Sequence, residues 1–253
     1  MTNVDLLIER GSFPNAWARA VRTVMRDGKQ IEFGGKIKGK EQYEKKGAMD
    51  IDLNIVLEGN AIKEAINGKL HPQFPTKEKV LAGYLKEWER GYDWRKQGFT
   101  YCYENRIENY PDNKYCLDGT ENDIIDQWKL AKEDLAQQIE TGIQSNRNVI
   151  VIGNPSIDRF EIPDSPPCLR EIWIRHEGNH KVSVKWFFRS RDLFSAWQTN
   201  VIGLLSAVKR EVTDPNDCEI IQVIDKNHSL YIYEGDWKVA REVTLLPYNP
   251  HGK

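Results

Sequence analysis

Apolar residues recur at helical spacing in several stretches of the chain. In residues 16–27, Trp17 and Val24 fall on one face, Asn15 is placed to cap the first turn, and Gly28 is placed to end the helix. The same spacing predicts further helices over residues 77–88, around Trp128, Leu135 and Ile139, over residues 196–208, and in a short segment at 237–243. Helices are therefore expected in both halves of the chain.

Other stretches alternate between apolar and other residues, as strands with one buried face do. Residues 48–57 place their large apolar side chains on one side, and the compact apolar run at 149–152 is typical of a buried strand. Alternation on both sides of Gly178 and Asn179 predicts a hairpin. The hairpin strands are marked by Ile172, Ile174, Val182, Val184, Trp186 and Phe188, and two more strands are predicted over residues 219–224 and 230–233.

Two segments show no clear period. Residues 34–46 are rich in Gly and Lys and predict a turn, while residues 91–120 mix aromatic, charged and turn residues and predict a long surface excursion. Because helices and strands are mixed along the chain, the expected class is α+β around a sheet. The sequence has no internal repeat and no low-complexity linker, which favours a single domain over residues 1–253.

The composition excludes several classes of protein. The chain has 253 residues, with 36 Lys and Arg against 38 Asp and Glu, so its net charge of -2 argues against a general binder of nucleic acid. A hydrophobic content of 40% is enough for a sizeable core and excludes a largely disordered chain. No stretch approaches the roughly 18 apolar residues that cross a bilayer. We therefore expect a soluble, cytoplasmic protein with no membrane partner.

The cysteines are expected to be free thiols. Cys102, Cys116, Cys168 and Cys218 show no CxxC spacing, so neither disulfides nor a metal site is predicted. Two prolines directly before Cys168 fix its backbone, and rigid placement suits a nucleophile. A guanidinium from Arg189 could support the thiolate across the sheet. A buried cysteine that only fills space is commoner, and the spacing alone favours that interpretation.

The segment Arg189, Ser190 and Arg191 offers two guanidinium groups and a hydroxyl, which are suited to binding a phosphate. A solvated strand end would have the same sequence. In a regular strand, alternation sends the two arginines to one side and Ser190 to the other, so a bulge or a turn is needed to bring all three together.

These residues resemble the core of the thymidylate synthase family, which includes pyrimidine nucleotide hydroxymethylases. The motif consists of Pro167-Cys168, then Arg189-Ser190-x-Asp192, and Asn200 eight residues later. Weaker similarities are found at Tyr103-x-x-Arg106, Asn146-Arg147, Tyr231-Ile232-Tyr233 and the N-terminal Ala16-Trp17 helix of the shorter archaeal-type members. The resemblance covers most of the chain except residues 36–46 and 109–121.

The resemblance implies a fold and an assembly. We expect a large bent mixed sheet with flanking helices, and a homodimer packed through the sheets. Arg147 matches the arginine that reaches into the partner's active site in this family. The family has a second arginine next to it, whereas this chain has Asn148, so one phosphate contact is expected to be weakened or lost.

The resemblance also implies a role for each motif residue. The Cys168 thiolate would add to C6 of a pyrimidine nucleoside monophosphate, so that C5 can attack the one-carbon unit of 5,10-methylenetetrahydrofolate or another reduced pterin. Arg189 would bind the phosphate and help to ionise Cys168, and Asn200 would read O4 and N3–H of the base. The other expected contacts are Ser190 and Arg147 to the phosphate, Asp192 to the pterin and Tyr233 to the sugar hydroxyl, with Tyr103, Arg106 and Tyr231 as further candidates.

The product is inferred from departures from the family pattern. Asn200 favours uracil before cytosine, while Tyr231 stands where the family usually has a histidine, and the sugar stays open. Residues 248–253 contain no apolar closing tail, and the glutamate and tryptophan motif of the long synthases is not recognisable, although Trp88, Trp94 or Trp128 could offer a stacking surface. Hydroxymethylation of dUMP is therefore preferred to formation of dTMP, with a dCMP or CMP hydroxymethylase third. A nucleotide- or RNA-binding relative without catalysis is the competing class.

Overall fold

The computed structural model describes residues 5–36, 43–97, 101–110, 124–155, 158 and 166–247. The helices are α1 (Phe13–Asp27), α2 (Asn60–Ile66), α3 (Glu78–Lys86), α4 (Tyr103–Glu108), α5 (Gln127–Thr141), α6 (Trp197–Val208) and α7 (Trp237–Arg241). The strands are β1 (Asp5–Glu9), β2 (Lys29–Lys36), β3 (Tyr43–Ile51), β4 (Leu53–Glu58), β5 (Val149–Val151), β6 (Leu169–Gly178), β7 (Lys181–Phe188), β8 (Arg191–Asp192), β9 (Glu219–Asn227) and β10 (Leu230–Tyr233). The predicted α+β class is confirmed.

The described strands form two mixed sheets rather than the single large sheet that was expected. The first has the strand order β1-β4-β9-β7-β6-β5, and the second has the order β2-β3-β10-β8. In the first sheet β1 pairs with β4 and β7 pairs with β9 in parallel, and in the second β8 and β10 are parallel. The remaining pairs are antiparallel.

Three strand connections pass directly from one sheet to the other. β4 and β9 pair in the first sheet, and their continuations β3 and β10 pair in the second; β7 and β8 continue each other beside them in the same way. The breaks between these strands fall at Asp52, Arg189, Ser190, His228 and Ser229, which we call the sheet junction. The three chain segments therefore lie in the same order, side by side, in both sheets, and their breaks lie next to one another.

The prediction of one strand over residues 48–57 is wrong. Asp52 separates β3 from β4, which belong to different sheets. Leu53 and Ile55 of β4 are buried, whereas in β3 Ala48, at the other parity, is the buried residue. Met49 and Ile51 of β3 are only partly buried, so the apolar alternation in the sequence joins two strands that differ in burial.

Helix α1 begins three residues before its predicted start. The Ser12 hydroxyl accepts from the Asn15 backbone N–H at 3.4 Å, and Pro14 occupies the first turn, where a missing N–H costs nothing. The Asn15 side chain instead forms two hydrogen bonds with the backbone of Leu246, at 2.7 and 3.2 Å. The helix ends at Gly28 as predicted.

The other helix predictions and the hairpin are confirmed, with small shifts. Helices α3, α5, α6 and α7 and strands β5, β9 and β10 form at the predicted positions. The hairpin turn consists of Asn179 and His180, one residue later than expected, and both have positive φ, as a two-residue turn between twisted strands requires. Strands β1 and β2 and helix α2 were not predicted. Residues 37–42 of the predicted Gly- and Lys-rich turn lie outside the described residues.

The surface excursion predicted for residues 91–120 is wrong for much of its described part. Trp94, Glu104 and Ile107 are buried, and the last two belong to α4, which packs against α5. The Trp128 indole of α5 donates to both oxygens of the Glu104 carboxyl, so this segment is bonded to a helix of the protein interior.

The buried apolar residues form a cluster that reaches both sheets and the helices. It includes Ile55 of β4, Ile232 of β10 and the tryptophans of α1 and α6. The Trp17 indole donates to the Leu193 carbonyl at 2.9 Å, which ties α1 to the segment after β8. None of the helices in the described part of the chain combines the length and the apolar character needed to span a bilayer.

Candidate active site

Cys168 lies at the sheet junction, directly before β6. Its carbonyl accepts from the Arg189 backbone N–H at 2.9 Å, which fixes it against the end of β7. Its side chain is partly exposed, and the Sγ atom lies 3.7 Å from the Ser190 hydroxyl. The thiol is therefore held beside a hydroxyl by a residue that is partly exposed and also packs against the core.

The Arg189 guanidinium wraps around the segment that leads into Cys168. It donates to the Pro166 carbonyl at 2.6 Å, to the Pro167 carbonyl at 3.3 Å and to the Ser190 hydroxyl at 3.3 Å. These bonds use three of its five N–H groups and go to neutral acceptors. The positive charge therefore stays available to an anion, and the side chain is oriented by the two prolines.

Three tyrosine side chains lie close enough to Cys168 to interact with it electrostatically. The pKa values of Tyr101, Tyr103 and Tyr231 are raised, mainly by burial and also by negative charge at Cys168. The Tyr233 hydroxyl donates to the Tyr231 hydroxyl at 3.2 Å. We call these four residues the tyrosine cluster. The raised pKa values keep Tyr101, Tyr103 and Tyr231 protonated at neutral pH, so their hydroxyl groups can donate hydrogen bonds. Tyr101 was missed in the sequence, although it lies two residues before the predicted Tyr103.

Asp192 ends β8 near the tyrosine cluster. Its carboxylate accepts from the Ser195 backbone N–H at 3.0 Å, and its negative charge contributes to the raised pKa of Tyr231. Burial raises the pKa of Asp192, and negative charge at Asp236 adds to this effect. A partly buried carboxylate of this kind can accept further hydrogen bonds from N–H donors.

The tryptophans proposed as a stacking surface do not offer an open ring face. Trp88, Trp94 and Trp128 are each no more than 5% exposed. The Trp88 ring is stacked on Tyr103, at a centroid distance of 5.5 Å. That expectation is therefore not supported.

Asn200 lies in the first turn of α6, with both ends of its amide hydrogen-bonded. Its Oδ1 atom accepts from Arg191 Nε at 3.3 Å, and its Nδ2 atom donates to the Tyr84 hydroxyl at 2.8 Å. Gly203, one turn further along α6, allows this close approach, because a Cβ there would lie 2.9 Å from a ring carbon of Tyr84. Tyr84 was not predicted as a site residue.

Arg191 does not join Arg189 and Ser190 in holding an anion. It is 2% exposed and forms an ion pair with Asp225 of β9, with 2.7 Å between its Nη1 atom and Oδ1. Its guanidinium also lies 3.9 Å from the centre of the Phe188 ring. Ser190 and Arg189 do converge, because the break between β7 and β8 interrupts the alternation that would have separated them.

Asp225 is a fully buried carboxylate with donors on both oxygens. The Trp186 indole and Arg191 bond to Oδ1, at 2.5 and 2.7 Å, while the Trp197 indole and Asn227 bond to Oδ2, at 2.6 and 3.1 Å. These charge-assisted bonds compensate for the burial of the ion pair. The signal in the sequence was an aspartate at the same strand parity as the buried Val223.

Arg147 and Arg106 differ in exposure and in their partners. The Arg147 side chain is exposed just before β5, while the adjacent Asn148 is buried and donates to the Ala131 carbonyl at 2.8 Å. Arg106 is largely buried, and its Nη1 atom lies 3.0 Å from the Asp158 carboxylate. Its guanidinium lies 5.5 Å from the centre of the Tyr101 ring, so Arg106 contacts one member of the tyrosine cluster.

The chain matches none of the models of known protein families, and no curated protein is significantly similar to it in sequence. Among the described residues, His, Cys, Asp and Glu side chains form no group of three or more that could hold a metal ion. Cys102, Cys168 and Cys218 are free thiols, and Cys116 lies outside the described residues.

Proposed function

We propose that the protein is a cytoplasmic, folate-dependent enzyme that transfers one carbon to C5 of a pyrimidine nucleoside monophosphate. The observation that carries this proposal is the convergence of a thiol, a hydroxyl and a guanidinium at the sheet junction. Cys168, Ser190 and Arg189 lie within one set of short contacts, and Asp192 and the tyrosine cluster lie next to them.

The proposed chemistry begins with the Cys168 thiolate. The sulfur forms a bond to C6 of the ring, and the electron pair of the C5–C6 double bond moves toward O4, which makes C5 nucleophilic. 5,10-Methylenetetrahydrofolate supplies a one-carbon unit at the oxidation level of formaldehyde. C5 forms a bond to that carbon as the bond from the carbon to N10 of the folate breaks. C5 then loses its proton, and cleavage of the bond between the carbon and N5 releases tetrahydrofolate and leaves an exocyclic methylene. Water adds to the methylene carbon, and the electron pair that returns to the ring expels the Cys168 thiolate and restores the C5–C6 double bond. With water as the final nucleophile, the products are the hydroxymethyl nucleotide and tetrahydrofolate.

The phosphate would be held by Arg189 and Ser190. The three bonds that orient the Arg189 guanidinium also leave two of its N–H groups for phosphate oxygens. Tyr233 would contact the sugar hydroxyl, and Asp192 would hold the pterin. In this assignment every contact except that of Arg147 comes from the surroundings of the sheet junction.

Arg147 enters the proposal through a homodimer. It lies two residues before the start of β5, whose Val149 and Val151 are each 39% exposed on the outer face of the first sheet. Trp173 and Phe187 lie on the same face and are partly exposed. Lys185 and Lys226 line the same face, so it combines apolar and charged groups. Pairing of this face with a second copy would bring the partner's Arg147 to the phosphate.

Hydroxymethylation of dUMP is preferred to methylation. The tyrosine cluster and Ser190 provide hydroxyl groups that can hydrogen-bond a water molecule beside Cys168. A water placed there can add to the transferred carbon before a hydride does. The alternatives are formation of dTMP and hydroxymethylation of dCMP or CMP.

The test is incubation with 5,10-methylenetetrahydrofolate and each of dUMP, dCMP, UMP and CMP, with products identified by mass spectrometry. We expect hydroxymethyl-dUMP as the main product. Formation of dTMP would support the alternative product with the same covalent chemistry. Tight nucleotide binding without turnover of the folate would contradict the enzyme and support a binding protein.

The shared site is tested by mixing two inactive variants, Cys168→Ser and Arg147→Ala. If each site combines residues of two copies, random pairing restores wild-type sites and returns roughly a quarter of the wild-type activity. Analytical ultracentrifugation of the same samples measures the assembly. A monomer, or a dimeric mixture without recovered activity, would contradict the role of the partner's Arg147.

A further inference from the structure

We infer that Arg191 is a positioning residue that fixes the orientation of the Asn200 amide and thereby sets the preference between uracil and cytosine. The inference rests on the proposed function, because it concerns the base that the same site accepts. It is carried by the buried contacts that join Asn200, Arg191 and Asp225.

The orientation of the Asn200 amide follows from the chemistry of its neighbours. A guanidinium has only N–H donors, so the amide atom that faces Arg191 has to be the oxygen. The Tyr84 hydroxyl is hydrogen-bonded to the Trp88 side chain, and an indole N–H only donates. Tyr84 is thus an acceptor already polarised by one donor, and it receives a second bond from Asn200 Nδ2 at 2.8 Å.

Rotating the amide by half a turn would oppose two donors. Nδ2 would face the charged guanidinium, and the charge-assisted bond to Oδ1 would be lost. Arg191 cannot move away to relieve this contact, because it is 2% exposed, paired with Asp225 and packed on the Phe188 ring. The amide therefore has one stable orientation.

The remaining bonding capacity of Asn200 then matches one base. Oδ1 keeps one lone pair and Nδ2 keeps one N–H, so the free edge presents one acceptor and one donor. Uracil offers O4 as an acceptor and N3–H as a donor. Cytosine offers the reverse pattern at the same two positions, with its amino group as a donor and N3 as an acceptor. Since the bond from Cys168 to C6 fixes the base, cytosine can bind well only if the amide turns around.

The experiment compares dUMP with dCMP in variants that release the amide. Arg191→Met leaves a buried carboxylate without its guanidinium, so it is combined with Asp225→Asn, which removes both charges together. Arg19→Met is the matched control, because Arg19 is an exposed residue of α1 that pairs with Glu9 of β1. Dissociation constants and kcat/KM are measured for both nucleotides, and circular dichroism establishes that each variant is folded.

The double variant is expected to lose the preference for dUMP by about tenfold or more, because both amide orientations become accessible. Tyr84→Phe is expected to keep most of the preference, since Arg191 alone determines which amide atom faces it. The control keeps the wild-type ratio. A purely structural role of Arg191 would weaken both nucleotides equally and leave the ratio unchanged.

The outcomes separate the two levels of the proposal. A wild-type protein that binds none of the nucleotides contradicts the proposed function. A wild-type protein that prefers dUMP, together with a folded double variant that keeps the same ratio, overturns the role of Arg191 and leaves the enzyme in place. Loss of the preference in Tyr84→Phe but not in the double variant also overturns it.

Discussion

Arg189 and Arg191 are two residues apart, yet they face different regions of the molecule. Arg189 lies on the side of the sheet junction that carries Cys168, which we call the cleft side. It is partly exposed, and its guanidinium donates to two backbone carbonyls and a hydroxyl. Arg191 lies on the core side, buried, and its guanidinium is neutralised by Asp225. The break between β7 and β8 separates them.

The comparison shows that the partners of an arginine, and not its position in a motif, decide what its charge can do. Neutral acceptors orient Arg189 without cancelling its charge, so an anion can still bind. A buried carboxylate makes Arg191 part of the protein interior, where it can act only through the residues it touches. We therefore expect Arg189 to bind a ligand on one side of the sheet junction and Arg191 to stabilise the protein interior on the other.

The largest expected effect is on the cleft side. Cys168→Ser is expected to lower kcat by about 10⁴-fold or more, because the weaker nucleophile cannot form the adduct, while the dissociation constant for dUMP stays within about threefold. Turnover is measured by mass spectrometry and binding by calorimetry. Cys102→Ser is the control, since the Cys102 thiol is buried, donates to the Glu87 carbonyl at 3.2 Å and has its pKa raised to about 11 by burial.

Retention of rate in Cys168→Ser would remove the thiol from the mechanism. Equal losses in both cysteine variants would mean that the two sites do not differ in the way the structure indicates.

The second effect compares the two arginines directly. Arg191→Met is expected to lower the free energy of unfolding by about 3–5 kcal/mol, because it leaves Asp225 buried without its guanidinium. Arg189→Met is expected to lower it by less than about 1 kcal/mol and to raise the dissociation constant of the nucleotide instead. Urea denaturation and calorimetry measure the two quantities. Similar stability losses in both variants would break the distinction between the cleft side and the core side.

A third effect concerns Glu104, a buried acid on the core side whose hydrogen bonds come from the Trp128 indole, at 3.0 and 3.1 Å. Burial is the main cause that raises its pKa from 4.5 to about 7. Between these values the folded state holds a proton that the unfolded state has lost. The Glu104 contribution is therefore complete below about pH 4.5 and falls by about 3 kcal/mol as the pH rises to 7.

Glu104→Gln is expected to remove this pH dependence, so that the variant gains on the wild type as the pH rises through this window. Urea denaturation at a series of pH values measures the difference, with the exposed Glu89→Gln as the control. Parallel curves for the wild type and Glu104→Gln would show that the carboxyl has an ordinary pKa.

The smallest expected effect is on base recognition. Asn200→Asp is expected to shift the ratio of kcat/KM toward dCMP by about tenfold, because a carboxyl group can complement the cytosine edge. Competition between dUMP and dCMP in one reaction measures the ratio. An unchanged ratio would remove Asn200 from the contact with the base.

Local pattern was enough to predict the elements whose burial follows one period. Apolar residues recur at regular spacing along helix α5, helix α6 and both strands of the β6–β7 hairpin. These elements form where expected. Strands β1 and β2 have weak patterns of their own and are defined by their partners β4 and β3. The division of residues 48–57 between two sheets depends on that long-range pairing and is invisible in alternation alone.

The candidate site was predictable in the same limited sense. The motif around Cys168, Arg189 and Ser190 named residues that the structure brings together, while their catalytic roles stay predictions. The pairing of Arg191 with Asp225 was not predictable, because it requires β7 and β9 to be neighbours although they are far apart in sequence. Tyr84 reaches Asn200 only because α3 packs against α6 beside Gly203.

The most direct test of the central claim is mass spectrometry of the protein after incubation with 5-fluoro-dUMP and 5,10-methylenetetrahydrofolate. Fluorine replaces the C5 proton that the enzyme would remove, and it cannot be removed as a cation. An adduct formed by attack at C6 therefore accumulates. We predict a mass gain of nucleotide plus cofactor on the peptide that contains Cys168, and none in Cys168→Ser. An unmodified Cys168 in a protein that still turns over dUMP, or an adduct on another residue, would contradict the account.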